Sequence, residues 1–299
     1  MIIGEFLYKN FLTVDREVQS NPYNFPPEEQ YHPYYDQMRA NADWLLDQTR
    51  EQVYIHSFDG TELAGLYYEV KEGAPVAILF HGYGANPYRD LTCAARYYNS
   101  RGINYLIPDQ RGMGLSEGEC ITMGVKERYD CKAWCEYVVD RFGDDVVIHL
   151  MGLSMGAATV LMAAGLDLPD NVADIWADCG FASAKDIFID VAGYNKIPAP
   201  VANVLVGYIC KKYGKFDWEE GDTREALRHW NKPVLLIHGD DDRFVNCVYT
   251  LQNYIALDHL PDDKRTKLLI HGAGHGLAHY VDPETYDKTV DKFYGINLL

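Results

Sequence analysis

Six short apolar runs recur along the last three-quarters of the chain. They are Pro75–Phe80, Asn104–Ile107, Val146–Met151, Ala173–Ala177, Pro233–Ile237 and Lys267–Ile270. Each is bounded by turn residues and is too continuously apolar for one face to meet water, which predicts strands buried on both sides. Stretches with apolar residues at helical spacing lie between them, such as Val125–Arg141 and the alanine-rich Met155–Leu166. Alternating strands and helices predict an α/β fold with a mostly parallel sheet flanked by helices. Upstream, Gln52–Ser57 and Glu62–Val70 read as a strand pair joined at Asp59-Gly60. Met38, Ala42, Leu45 and Leu46 mark a helix within Tyr34–Arg50.

Two regions break the pattern. The first 35 residues contain Pro22, Pro26, Pro27 and Pro33. Proline at that density excludes one continuous helix and predicts an extended arm lying across the body. Between Phe181 and Trp230 the patterning is helical with no strand, which predicts a small helical cap at about residues 182–230. The expected organisation is therefore an N-terminal arm and helix over residues 1–50, and one α/β domain over residues 51–299.

Composition narrows the function. The chain has 299 residues, 47% apolar and 24% charged, enough to bury a core without staples. Acidic residues outnumber basic ones by 44 to 27, for a net charge of −17. With no Lys/Arg block to offset it, that charge excludes a nucleic-acid partner and steers anionic substrates away. There is no run of 18 apolar residues, so no membrane span is expected. Met1–Val14 is mildly apolar, lacks a basic leader, and reads as an amphipathic arm and not a signal peptide, with a peripheral membrane contact through its apolar face as the alternative. Seven scattered cysteines fit a reducing, cytoplasmic setting. Cys131 and Cys135 share a helix face without a ligand partner at metal spacing, so they read as buried thiols.

The chemistry concentrates at turns. Gly152-Leu153-Ser154-Met155-Gly156 follows an apolar strand and precedes a helix. A serine on such a sharp turn crowds the residues two before and two after it, and glycine relieves both. The competing reading is a tight turn in which Ser154 only caps the helix. A serine nucleophile needs a base. His275, in the Gly-rich loop Gly272–Gly276 after the last strand, is the first candidate, with His271 and His279 as rivals. The base needs an orienting carboxylate. Asp240, Asp241 and Asp242 follow the strand Pro233–Ile237. Asp242 lies deepest in the loop, where Val245 can anchor it; Asp240 is its rival. An oxyanion requires backbone donors, and the N–H groups of Met155 and of Tyr83, in His81-Gly82-Tyr83-Gly84, are placed for this. His81 reads as structural. In Asp109–Ser116, Arg111 and Asp109 read as ion-pairing groups that hold a rigid turn.

These motifs, with His238-Gly239 and His275-Gly276, occur in the order of the α/β-hydrolase superfamily, which the chain resembles from about Val53 to its C-terminus. Within it the chain is similar to bacterial serine esterases with a small helical cap, including cinnamoyl- and feruloyl-esterase-like groups. The resemblance implies an eight-stranded, mostly parallel sheet and a hydrolase of small-molecule esters with no metal or organic cofactor. It places Ser154, Asp242 and His275 at the triad positions and Tyr83 and Met155 at the oxyanion positions. Phe188, Ile189, Tyr194, Ile197, Val201, Val204 and Tyr208 are expected to roof an apolar or aromatic acyl pocket; the competing reading is that they only pack the cap on the body. A peptidase of prolyl-oligopeptidase type, an acyltransferase or thioesterase, and a binding module without catalysis are the alternatives. The sequence carries no signal of oligomeric state.

Overall fold

Eight strands form one sheet in the order β1-β2-β4-β3-β5-β6-β7-β8. They are β1 (Glu51–His56), β2 (Glu62–Tyr68), β3 (Val76–Phe80), β4 (Asn104–Pro108), β5 (Ile148–Leu153), β6 (Val172–Asp178), β7 (Val234–Gly239) and β8 (Arg265–Ile270). β2 runs antiparallel to β1 and β4, and the remaining pairs are parallel. The expected eight-stranded, mostly parallel sheet is therefore present. This computed structural model describes residues 3–295. Met1 and Ile2, the start of the expected arm, and residues 296–299, the end of the expected domain, lie outside the described residues.

Thirteen α-helices are described: α1 (Ile3–Phe11), α2 (Arg16–Ser20), α3 (Tyr35–Leu46), α4 (Pro87–Asp90), α5 (Thr92–Ser100), α6 (Glu127–Phe142), α7 (Met155–Ala163), α8 (Ala184–Tyr194), α9 (Ala199–Ile209), α10 (Thr223–Leu227), α11 (Val248–Ala256), α12 (Ala278–Val281) and α13 (Pro283–Phe293). The period-two geometry of a strand sorts its side chains between two cores. Val76, Ile78, Ile148, Leu150, Val234 and Leu236 join Trp134 of α6 and Leu161 of α7 on one face. Ala77, Leu79, Met151, Leu235 and Ile237 join Tyr97 and Tyr98 of α5 on the other. Both faces of these central strands are covered, which is why they read as continuous apolar runs; the expectation fails for Lys267–Ile270, since β8 is at the edge of the sheet and Leu269 is 37% exposed.

The N-terminal arm is not extended. It folds as α1, α2 and a 3₁₀ turn over Glu29–Tyr34. The prolines break it into short helices without preventing them. Asp15 caps α2 by accepting from Glu17 N–H and Val18 N–H, and Pro33 sits inside the 3₁₀ turn. Residues 182–230, the expected cap, contain α8, α9, a π-turn over Cys210–Gly214 and α10. Arg111 meets the expectation of an ion-paired turn, bonding Asp130 at 2.5 Å and Asp59 at 2.9 Å. Asp109 does not. It is half-buried and accepts the Leu115 N–H at 2.9 Å instead of a cation.

Candidate active site

Three loops at the carboxyl end of the sheet, after β5, β7 and β8, converge on one point. The first carries Ser154, at φ 56° and ψ −117°. That region is costly for a residue with a Cβ, on the order of 1–3 kcal/mol. Packing imposes it. A Cβ on Gly152 would lie 2.2 Å from the Gly156 carbonyl carbon, and one on Gly156 would lie 1.9 Å from the Phe80 oxygen. The Ser154 N–H donates to the Asp178 carbonyl at 2.8 Å. Its side chain makes no capping hydrogen bond to α7, so the reading of Ser154 as a helix cap fails.

His275 accepts Ser154 into the array: its Nε2 lies 2.9 Å from Ser154 Oγ, and its Nδ1 lies 2.6 Å from Asp242 Oδ2. A carboxylate only accepts, so Nδ1 bears the proton and Nε2 is left to accept from the serine hydroxyl. Asp242 is held on every side. Its Oδ1 accepts from Phe244 N–H and Val245 N–H at 2.9 and 2.8 Å. Its Oδ2 also receives His238 Nε2 at 3.1 Å. His238 is fully buried and takes the Thr250 hydroxyl on its other nitrogen at 2.7 Å. Burial alone would raise the Asp242 carboxyl, but His275 and His238 outweigh it and hold it far below the ordinary carboxylate range.

The rivals are engaged elsewhere. His271 is 98% exposed and pairs with Asp240 at 2.9 Å. His279 Nε2 meets Asp287 at 3.3 Å. Asp178, a further buried carboxylate that the sequence did not single out, accepts the Tyr286 hydroxyl at 2.6 Å. Cys179, Asp242 and His275 bring possible ligand atoms within 4.8 Å of one another. They make a poor metal set: both His275 nitrogens are occupied, and burial keeps the Cys179 thiol protonated.

The expected donors also lie here. Met155 is the first residue of α7, where its N–H has no partner within the helix. Tyr83 borders the Ser154 cleft. Its loop is fixed by Asp90, which accepts Gly82 N–H at 2.8 Å, and by Arg89, which donates to the Tyr83 carbonyl at 3.3 Å. A Cβ on Gly82 would lie 2.8 Å from Asp90 Oδ2 and 3.3 Å from Ser154 Cβ, so a larger residue here would displace the carboxylate that holds the loop. His81 is structural, with Nδ1 2.9 Å from the Gly82 carbonyl.

The sequence reading missed the contribution of the N-terminal arm. A cleft of about 430 Å³ contains Ser154, His275 and Tyr83, and Pro26, Pro27, Glu28, Gln30, Tyr31 and Met38 form one of its walls. Phe244 and Tyr280 stand among its other lining residues. The Tyr31 hydroxyl donates to the His275 carbonyl at 2.9 Å. The expected cap roof is not there: none of the seven cap residues named above lines this cleft. Phe188 and Ile197 instead face α1 across a separate apolar groove. The arm's role had no local signal in sequence, because it depends on a contact between residues 244 positions apart.

Comparisons with known proteins agree on the fold. Residues 75–195 match the family model described as alpha/beta hydrolase fold. Over 243 residues the chain is 25% identical to the uncharacterized protein YqkD of Bacillus subtilis (strain 168), covering 80% of this chain and 77% of that one. The Pyrococcus furiosus esterase Pf2001 superposes with a TM-score of 0.68 at 22% identity, over 84% of this chain and 92% of that one. Est1E from Butyrivibrio proteoclasticus, solved with ferulic acid bound, gives a TM-score of 0.57 at 18% identity, over 82% and 97%.

Proposed function

We propose that this chain, which has the α/β-hydrolase fold, is a serine hydrolase that cleaves carboxylic esters through an acyl-enzyme. One observation carries the reading: the continuous array from Asp242 through His275 to Ser154, with bonds of 2.6 and 2.9 Å. His275 Nε2 takes the Ser154 proton as Oγ attacks the ester carbonyl. Asp242 keeps the imidazole in the productive tautomer and stabilises its cation. The Tyr83 and Met155 N–H groups receive the developing oxyanion. His275 then protonates the departing alcohol, and water repeats the sequence to release the acid.

The cleft supports an apolar or aromatic acid of modest size, since Pro26, Pro27, Tyr31, Met38, Phe244 and Tyr280 line it. The likeness to a protein solved with ferulic acid supports the same choice. Hydrolysis of p-nitrophenyl esters from acetate to decanoate, beside methyl ferulate and an aminoacyl-prolyl anilide, tests the proposal. The expected result is ester turnover that disappears in Ser154→Ala while folding is unchanged. Cleavage of the anilide alone would assign a peptidase, and ester turnover that survives the substitution would exclude Ser154 as nucleophile.

A further inference from the structure

Charge is unevenly spread over this molecule. The whole chain carries −17, yet residues 191–216 contain four lysines, Lys196, Lys211, Lys212 and Lys215, and no Asp or Glu. All four lysines are exposed. The lysine ion pairs nearby, Lys9–Glu5 and Lys185–Glu219, include none of them. The same segment exposes apolar side chains in register. Val201, Val204 and Tyr208 recur at helical spacing along α9 and are 53%, 73% and 51% exposed, while Ala202 and Ile209 anchor the opposite face.

Helix α1 extends this surface. Tyr8 packs on Tyr213 of the π-turn with ring centroids 5.8 Å apart, and Phe6 and Phe11 of α1 are exposed beside it. Charge and apolar stripe form one surface, because Lys212 Nζ donates to the Tyr208 hydroxyl at 2.7 Å and lies over the Tyr208 and Tyr213 rings. An apolar groove opens between α1 and the cap, lined by Leu7, Phe11, Phe188, Ile197 and Val206 among others.

We propose that the face formed by α1 and α9 docks this protein on an anionic lipid surface. Apolar side chains on such a face enter the acyl boundary while the lysines meet headgroup phosphates. The distant acidic surface does not forbid this, because salt screens charges beyond about 8–10 Å. No helix among the described residues is long and apolar enough to cross a membrane, so the contact is peripheral. A second copy of the chain fits the face less well: a twofold contact sets each patch against itself and brings lysines onto lysines. The face also adjoins the cleft. The Tyr194 hydroxyl at the end of α8 donates to the Arg243 carbonyl at 2.7 Å, and the Tyr83 hydroxyl donates to the Phe11 carbonyl at 3.3 Å. Arg243 and Tyr83 both line the cleft.

The test is co-sedimentation of the full chain with vesicles of phosphatidylcholine alone and of phosphatidylcholine mixed equally with phosphatidylglycerol. Val204→Glu and the double variant Lys211→Glu/Lys212→Glu are compared with the native chain, with circular dichroism to show that all three fold. The native chain is expected to bind the anionic vesicles, and less as salt rises. Each lysine near the surface contributes about fivefold in binding, so the double variant should lose at least about twentyfold, and Val204→Glu should also release the protein. Ser154→Ala should bind like the native chain, which keeps this result separate from the fate of the esterase reading. Native protein left in the supernatant with both vesicles would overturn the proposal, as would binding that neither variant weakens. A dimer by light scattering that Val204→Glu dissolves, without vesicle binding, would give the face to a second copy.

Discussion

Ser154 occupies strained backbone because its neighbours leave no alternative, and the groups around it are ordered by hydrogen bonds that each have a measurable share. Replacing Asp242 by Asn keeps the shape but lets the imidazole adopt the wrong tautomer. Turnover is expected to fall by about 10⁴. The same substitution tests the electrostatics. The Asp242 carboxyl sits below its ordinary value of 3.8 in the folded protein. Its ionised form therefore stabilises the fold above that value, and the contribution fades as pH falls through the lower, folded-state value. Melting temperatures measured from about pH 5 to about pH 2 should decline more steeply in the native chain than in Asp242→Asn. Tyr31 acts through His275 and not on substrate. Tyr31→Phe keeps the ring against the cleft but leaves the His275 carbonyl without its donor. A net hydrogen bond of about 0.5–1.5 kcal/mol predicts a fall in kcat of about two- to tenfold with KM little changed. An unchanged kcat would make the contact merely structural.

At the scale of elements, the loops after β7 and β8 must approach closely for Asp242 to reach His275. A Cβ on Gly239 would lie 2.2 Å from the Ala273 oxygen. Gly239→Ala should push the two loops apart, costing about 1–3 kcal/mol of stability and most of the activity. Gly193 in α8 has open space around its position, and Gly193→Ala should be neutral or stabilising by up to about 1 kcal/mol. Denaturant melts of both variants decide this. The same elements explain what was legible in sequence. Strands such as Val76–Phe80 and Val234–Gly239 declared themselves because burial on both faces makes them continuously apolar. The Ser154 turn declared itself because two glycines are sterically obligatory there. Asp242 was distinguishable from Asp240 only by its place deeper in the loop, and the partners His238 and Thr250 that fix it had no signature. The arm was misjudged for a related reason. Proline content excludes a long helix but not short ones, and the wall built by Pro26–Tyr31 exists only once residues remote in sequence meet. Cap residues such as Phe188 and Ile197 are apolar because they face α1, a partner that helical spacing alone cannot identify.

Across the whole molecule, negative charge sets the long-range field and local structure sets the exceptions. The cleft's arginines do not offset that field, since Arg89 is paired with Asp90 at 2.9 Å and Arg243 with Asp241 at 3.1 Å. A carboxylate-bearing ester should therefore show a lower kcat/KM than a neutral ester of the same size, and the gap should narrow as salt rises. Equal values at low salt would mean that the cleft is shielded from the molecular field. The central claim is that Ser154 Oγ is the activated nucleophile. Intact and peptide mass spectrometry after treatment with a fluorophosphonate probe tests it most directly. The account predicts one adduct per chain, on Ser154, absent from Ser154→Ala and much slower to form in Asp242→Asn. A folded, unlabelled native chain, or an adduct on any other residue, would contradict it.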